Sequence, residues 1–342
     1  MSERSVAINL MVGTACNWHC PYCLQDSEAG FDKKLDVSVF CDKFTNYIKD
    51  NNIQIKRIAY WGGEPVLYWK YIKAIEECVV PEVKPLRPSR FITNGSLITS
   101  EHVDFFNSRD MLVNVSYHDG QLSDESWRTC MNIKELYVTS LVHHKCLSWD
   151  RYRDKWQYLW DKFGRCVSWF VYPIHYTNGL PKEYAFTLSD IDNYIEYLYS
   201  IISLAYNDIF YQRMLEILFY SYYEHDYYAE DLNFCYCNGV LSVDLKGNKY
   251  FCHHDCTANN IVGNIFDKLA IHKDDSEFLN KLRVHRLQCK TCPCYTHCLG
   301  GCFRDQQPEI SCYFKLKMRT LLLYIKQHHY SLVSKEYMAM VD

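Results

Sequence analysis

The chain has 342 residues, 48% of them hydrophobic and 23% charged, with a formal net charge of −4. That length and apolar content exclude a disordered chain and leave room for two domains. The slightly acidic balance excludes a basic nucleic-acid footprint, no apolar run reaches membrane-spanning length, and the N-terminus lacks the apolar core of a signal peptide. The sequence therefore reads as cytoplasmic, with neither nucleic acid nor membrane as a partner.

Residues 6–12 predict a first strand. Residues 37–49 carry apolar side chains at Val37, Phe40, Phe44, Tyr47 and Ile48, which is helical spacing. A strand over 55–61, a helix over 66–79, a short strand over 90–93 and a helix over 99–106 follow. Next come a strand over 112–117, a helix near 123–130, a strand over 134–142, a helix over 149–163 and a sixth strand over 167–172. Strands alternating with helices imply a parallel sheet, curled fully or partly into a barrel. Ser189 then reads as a helix N-cap with Asp190 and Asp192 in the first turn. A tyrosine-rich helical stretch continues to about Tyr223, broken near Asn207 and Asp208. Its tyrosines read as helix packing with hydroxyls at the rim, or as an aromatic wall for a peptide. The composition shifts near Phe234, and a leucine-rich helical tail follows Cys312.

Eighteen cysteines are the anomaly. In a reducing compartment they point to metal rather than to disulfides. Cys41, Cys78, Cys130, Cys146 and Cys166 are scattered singly and read as small buried hydrophobes. Cys16, Cys20 and Cys23 form C-x3-C-x2-C directly after the first strand. Three thiolates in one loop can hold three corners of an iron–sulfur cube and leave the fourth iron open to a small molecule. Taken alone, the same spacing also fits a zinc loop.

The motif resembles that of the radical S-adenosylmethionine (SAM) superfamily, with Tyr22 at its aromatic position. Trp61-Gly62-Gly63-Glu64-Pro65 closes the second strand and resembles the family's GGEP motif. Thr93-Asn94-Gly95 follows the third strand, and Ser116-Tyr117-His118-Asp119-Gly120 follows the fourth. The resemblance implies a partial (β/α)6 TIM-like barrel over residues 5–230. Cys16, Cys20 and Cys23 would hold a 4Fe–4S cluster that cleaves SAM to a 5′-deoxyadenosyl radical. Tyr22, Gly62, Gly63, Glu64, Asn94 and Ser116 would contact SAM, Glu64 helping to hold its ammonium. All of these lie at predicted C-terminal strand ends, where barrel active sites are built.

The downstream cysteines have their own spacing. Cys237 is followed by Gly247 and Cys252, then by Cys289-x2-Cys292-x5-Cys298-x3-Cys302, and by Cys312 after a gap. This resembles the SPASM extension of radical SAM enzymes and implies a second domain over 231–315, with a helical tail over 316–342. Two auxiliary 4Fe–4S clusters are implied, three clusters in all. Cys289, Cys292, Cys298 and Cys312 would hold the outer one. Cys237, Cys252 and Cys302 would hold the inner one, with Cys235, then Cys256, or an open iron as its fourth position. Cys294 is surplus to the pattern. In sulfatase-oxidising members an aspartate follows the cysteine that matches Cys252; here His253 stands there, a candidate base or a polar shield for the cluster.

The resemblance implies an oxidoreductase that modifies a ribosomal peptide, forming a thioether, carbon–carbon or related crosslink, with electrons exchanged through a flavodoxin- or ferredoxin-type carrier. The alternatives are a formylglycine-forming sulfatase maturase, a small-molecule dehydrogenase, and a metal-binding scaffold without catalysis.

Overall fold

The computed structural model describes residues 4–23, 36–117, 122–174, 180–223, 240–250, 256, 260–267, 289–294 and 307–333. The chain folds as two compact units that interleave in sequence. The first comprises Met1–Tyr137 with Cys235–Asp275, the second Val138–Phe234 with Ser276–Asp342.

The first unit begins with β1 (Arg4–Met11), α1 (Val37–Asp50) and β2 (Ile53–Trp61). A single 3-10 turn, Pro65–Tyr68, leads into α2 (Trp69–Cys78) and α3 (Val80–Val83). Then come β3 (Arg90–Thr93), α4 (Ser100–Ser108), β4 (Leu112–Ser116) and α5 (Asp124–Cys130). The four strands pair in parallel in the order β4-β3-β2-β1. Parallel pairing needs crossovers, and the helices supply them while covering the sheet. On α1, Phe40, Phe44 and Ile48 lie on one buried face, as their spacing predicts. Trp69 meets Phe91 and Phe106 edge-on, tying α2 to β3 and α4.

The helix expected over 66–79 is divided into the 3-10 turn and α2, with α3 following beyond it. Pro65 opens the first piece, where its missing N–H costs nothing, and Glu64 caps it by accepting from the Val66 N–H. The cysteine-rich segment also holds a surprise. β7 (Val240–Asp244) pairs in parallel with β1, and β8 (Asn248–Tyr250) and β9 (Ile261–Asn264) extend the sheet antiparallel beyond it. β1 is therefore an interior strand. The register sets Met11 between Trp61 of β2 and Asp244 of β7.

The second unit takes most of β5 (Leu136–Val142), then α6 (Asp150–Phe163) and β6 (Ser168–Pro173). It continues through a 3-10 turn, Lys182–Tyr184, to α7 (Leu188–Ile201), α8 (Ile209–Tyr223) and α9 (Pro308–His328). Its core is rich in tryptophan, and each buried indole finds an acceptor. Trp149 donates to the Tyr194 hydroxyl at 3.0 Å, Trp156 to the Val167 carbonyl at 2.9 Å and Trp169 to Ser140 at 3.0 Å. The Tyr197 and Tyr211 hydroxyls converge on Asp150 Oδ1 at 2.8 and 2.7 Å. For Tyr194, Tyr197 and Tyr211 the packing reading holds. α9 begins ahead of residue 316, and Cys312 lies within it.

The N-cap of α7 is Thr187, not Ser189. Thr-x-x-Asp and Ser-x-x-Asp overlap here, so the sequence offers two capping boxes. The fold selects the first. Thr187 accepts from the Asp190 N–H at 3.2 Å, and Asp190 accepts from the Thr187 N–H at 2.7 Å. Asp192 is engaged elsewhere, by Tyr313 and Lys317 at 2.7 Å each. Thr187→Ala is expected to lower unfolding free energy by about 1 kcal/mol in a denaturant melt, while Ser189→Ala changes it by under about 0.5 kcal/mol. Equal losses would contradict this assignment.

Candidate active site

β1 ends at Met11, and the chain then runs through Gly13 into the loop of Cys16, Cys20 and Cys23. The end of β2 is bonded to that loop. Val12 N–H donates to the Trp61 carbonyl at 3.0 Å, Gly63 N–H to the Gly13 carbonyl at 2.9 Å and Glu64 N–H to the Ala15 carbonyl at 2.8 Å. Only glycine fits at these positions. A Cβ on Gly62 would lie 2.1 Å from the Gly13 oxygen, and one on Gly63 would lie 2.3 Å from the Ala15 oxygen. A Cβ on Gly13 would strike the Tyr68 ring at 2.0 Å, and the Tyr68 hydroxyl accepts from the Ala15 N–H at 2.9 Å. The glycines thus serve close backbone packing against the cysteine loop.

Glu64 is fully buried. Its Oε1 accepts from the Thr93 hydroxyl at 2.7 Å and from the Val66 N–H at 3.0 Å, and its Oε2 accepts from the Asn94 N–H at 2.8 Å. Burial raises its pKa, and those three donors pull the other way. The carboxylate therefore staples the end of β2 to the end of β3. Beyond it, Asn94, Ser96 and Asn17 close a ring of hydrogen bonds. Asn94 donates to Asn17 at 2.9 Å, Asn17 to Ser96 at 2.9 Å and Ser96 to Asn94 at 2.6 Å. Gly95 makes the turn possible with φ at +78°. Asn17 and Ser96 escaped the sequence reading, although each adjoins a residue it had marked.

The three thiols face one another electrically. Burial raises the Cys16 pKa, and the charges of Glu64 and Cys23 add to the effect. Burial pushes Cys20 up to about 11, with Cys23 and Cys16 contributing. The Trp18 N–H donates to Cys16 Sγ at 3.4 Å, which favours a thiolate acceptor. Among the described residues, no three His, Cys, Asp or Glu side chains gather closely enough to chelate one metal ion.

Tyr22 and Ser116 are half-buried, the latter at the C-terminal end of β4. In the second unit, Cys292 N–H donates to the Cys289 carbonyl at 2.8 Å, and Cys294 N–H to Cys292 Sγ at 3.4 Å, the same arrangement that Trp18 makes with Cys16. Cys294 is buried and Cys312 exposed. Cys256 is buried in the first unit against Met11 and Tyr250, with Trp61 and Ile261 alongside. Cys235, Cys237, Cys252, His253, Cys298 and Cys302 lie outside the described residues.

The parallel sheet thus carries a three-cysteine loop after its first strand and a glycine-rich turn after its second. Residues 10–126 match the model of the Radical SAM superfamily, and the chain carries a radical SAM domain. Among curated proteins it is 20% identical over 330 residues to a cysteine-type anaerobic sulfatase-maturating enzyme of Clostridium novyi, covering 86% of each chain. It is 23% identical to the radical SAM cyclopropyl synthase TigE of Paramaledivibacter caminithermalis, over 88% of this chain and 68% of that one. Its fold matches that of native anSMEcpe with bound AdoMet and Cp18Cys peptide, with a TM-score of 0.68 and 17% identity, over 96% of this chain and 99% of that one. The fold is the radical SAM partial barrel, and no helix among the described residues is long and apolar enough to cross a membrane.

Proposed function

We propose that the protein is a radical SAM maturase that oxidatively modifies a peptide. The observation that carries this reading is the bonded assembly of the cysteine loop, the Gly62-Gly63-Glu64 turn and the Thr93-Asn94-Gly95 turn. Cys16, Cys20 and Cys23 hold the first 4Fe–4S cluster. Tyr22, Gly62, Gly63, Asn94 and Ser116 face SAM, and Glu64 keeps two of the contributing turns in register. A cluster and SAM bound there would supply a radical able to take hydrogen from unactivated carbon. The residues' own contribution is position: a loop fixed on both sides by backbone bonds presents its thiols without rearrangement.

Cys289, Cys292, Cys298 and Cys312 hold an outer auxiliary cluster. Cys237, Cys252 and Cys302 hold an inner one, with Cys235 as its fourth ligand, in a SPASM-type domain beginning near residue 231. The shared N–H···S geometry at Cys16 and Cys292 supports equivalent thiolate roles. A flavodoxin- or ferredoxin-type carrier exchanges the electrons. A peptide substrate is supported by a relative that matures a sulfatase and by a matching fold that holds a peptide.

Anaerobic reconstitution is expected to give about 12 irons per chain, the content of three cubes. With reductant, SAM and a small peptide encoded beside it, the protein is expected to yield 5′-deoxyadenosine and a peptide lighter by two hydrogens or crosslinked. Conversion of a sulfatase-motif peptide instead would make it a formylglycine-forming enzyme. Turnover of only a free sugar or amine would overturn the peptide reading.

A further inference from the structure

Asn94 directly follows β3 and is buried beside the cysteine loop, within the first unit. A carboxamide has two lone pairs on Oδ1 and two N–H donors on Nδ2. All four are engaged. Oδ1 accepts from the Ser96 N–H at 2.9 Å and from the Ser96 hydroxyl at 2.6 Å. Nδ2 donates to Asn17 Oδ1 at 2.9 Å and turns its other hydrogen toward Cys16 Sγ at 4.0 Å.

One backbone group fixes this orientation. The Ser96 N–H can only donate, so the Asn94 atom it meets is the oxygen, and the atom turned to the cysteine loop is the nitrogen. Asn17 must then present its oxygen to Asn94, which leaves the Asn17 nitrogen for Ser96 Oγ at 2.9 Å. The Ser96 hydroxyl accepts there and gives its own proton to Asn94. Turning over either carboxamide would set donor against donor. The Asn94 backbone is held as well, because its N–H donates to Glu64 Oε2 and the Gly95 N–H to the Thr93 hydroxyl at 2.9 Å.

Cys16 Sγ thus receives two donors, the Trp18 N–H at 3.4 Å and the Asn94 carboxamide. Hydrogen bonds to the sulfurs are among the features that set the reduction potential of an iron–sulfur cluster. A donor favours the reduced state, which carries the extra negative charge, and a buried dipole acts on that charge more strongly than one in water.

We propose that Asn94, locked by Asn17 and Ser96, is a positioning residue that acts through Cys16. Its N–H raises the reduction potential of the cluster held by Cys16, Cys20 and Cys23, and its side chain makes no hydrogen bond to SAM. This rests on the radical SAM reading set out above. On one-electron reduction by a flavodoxin- or ferredoxin-type carrier, the N–H faces the charge that reaches the Cys16 sulfur, and no proton moves.

The test is a redox titration of the reconstituted holoenzyme followed by electron paramagnetic resonance. The signal that changes when SAM is added identifies the cluster of this loop. Asn94→Ala, Asn94→Asp and Asn17→Ala are compared with the parent, with iron content and melting temperature recorded alongside. In Asn94→Ala the reduced-to-oxidised ratio at the parent's midpoint is expected to fall about tenfold, a midpoint about 59 mV more negative. Asn94→Asp keeps the acceptor for Ser96 but turns an oxygen to Cys16, and should fall further. Asn17→Ala removes only the latch and should fall less. The dissociation constant for SAM, measured on the oxidised enzyme, should stay within about threefold of the parent's in all three. Unchanged midpoints in the two Asn94 variants overturn the proposal. A loss of SAM affinity of about tenfold or more in Asn94→Ala overturns it too, by making the side chain a direct SAM ligand. Should the Asn94 variants fail to take up iron, the midpoint of Asn17→Ala decides in their place. A parent holoenzyme with no SAM-responsive signal sinks the proposed function instead.

Discussion

A chain in which Cys16, Cys20 and Cys23 are all alanine is expected to form no detectable 5′-deoxyadenosine. Burial first, and neighbouring negative charge after it, raise the pKa of Cys16 and Cys20, so the loop gains most when a cationic metal cluster takes up the negative charge. Removing all three leaves no ligand set in that loop. Reconstituted iron should fall by about four per chain, the content of one cube. The fold should survive, because the loop is held by backbone bonds from Gly63 and Glu64 and by the Tyr68 hydroxyl, not by sulfur. Replacing Cys289 and Cys292 instead should spare uncoupled SAM cleavage while abolishing peptide product. Continued 5′-deoxyadenosine formation by the triple variant would refute the assignment of the first cluster to this loop.

Glu64→Ala carries the second large effect, and it falls on stability and activity together. The carboxylate is fully buried and accepts from Thr93, Asn94 and Val66. Each donor left without an acceptor in the interior costs about 1–3 kcal/mol. Part of that is recovered, because burying the charge was itself unfavourable, as its raised pKa records. The net loss expected is about 3 kcal/mol, a substantial share of the stability of about 5–15 kcal/mol typical of a domain. With the staple gone, the Asn94–Ser96–Asn17 ring loses its anchor beside Cys16, so SAM cleavage should drop by about 100-fold or more. Glu64→Gln keeps the shape and one acceptor oxygen and should fall between the two. Paired denaturant melts and 5′-deoxyadenosine assays measure both effects. An alanine variant as stable and active as the parent would show that the staple does not organise the site.

How far the sequence reaches differs from one element to the next. β3 is read to the residue, and the other strands of the parallel series to within about two residues, because period-two apolar runs between turns have few competitors. The Ser189 cap failed because two capping boxes overlap, and contacts from Tyr313 and Lys317 to Asp192 lie far away in sequence. β7 escaped because five residues beside a dense cysteine pattern look like linker until β1 offers them an edge.

The cysteine loop, the glycine turn and their order on successive strands are properties of the sequence alone. Sulfur spacing within one loop and glycine at a strand end are local chemistry, and local chemistry is written in adjacent residues. Three things belong to the tertiary structure: that Gly62 and Gly63 serve the cysteine loop's backbone, that Glu64 faces inward onto Thr93 and Asn94, and that Asn17 meets Asn94 and Ser96. Each depends on the distance between residues on different strands and helices. Those distances are set by sheet register and helix packing, which no single stretch of sequence contains.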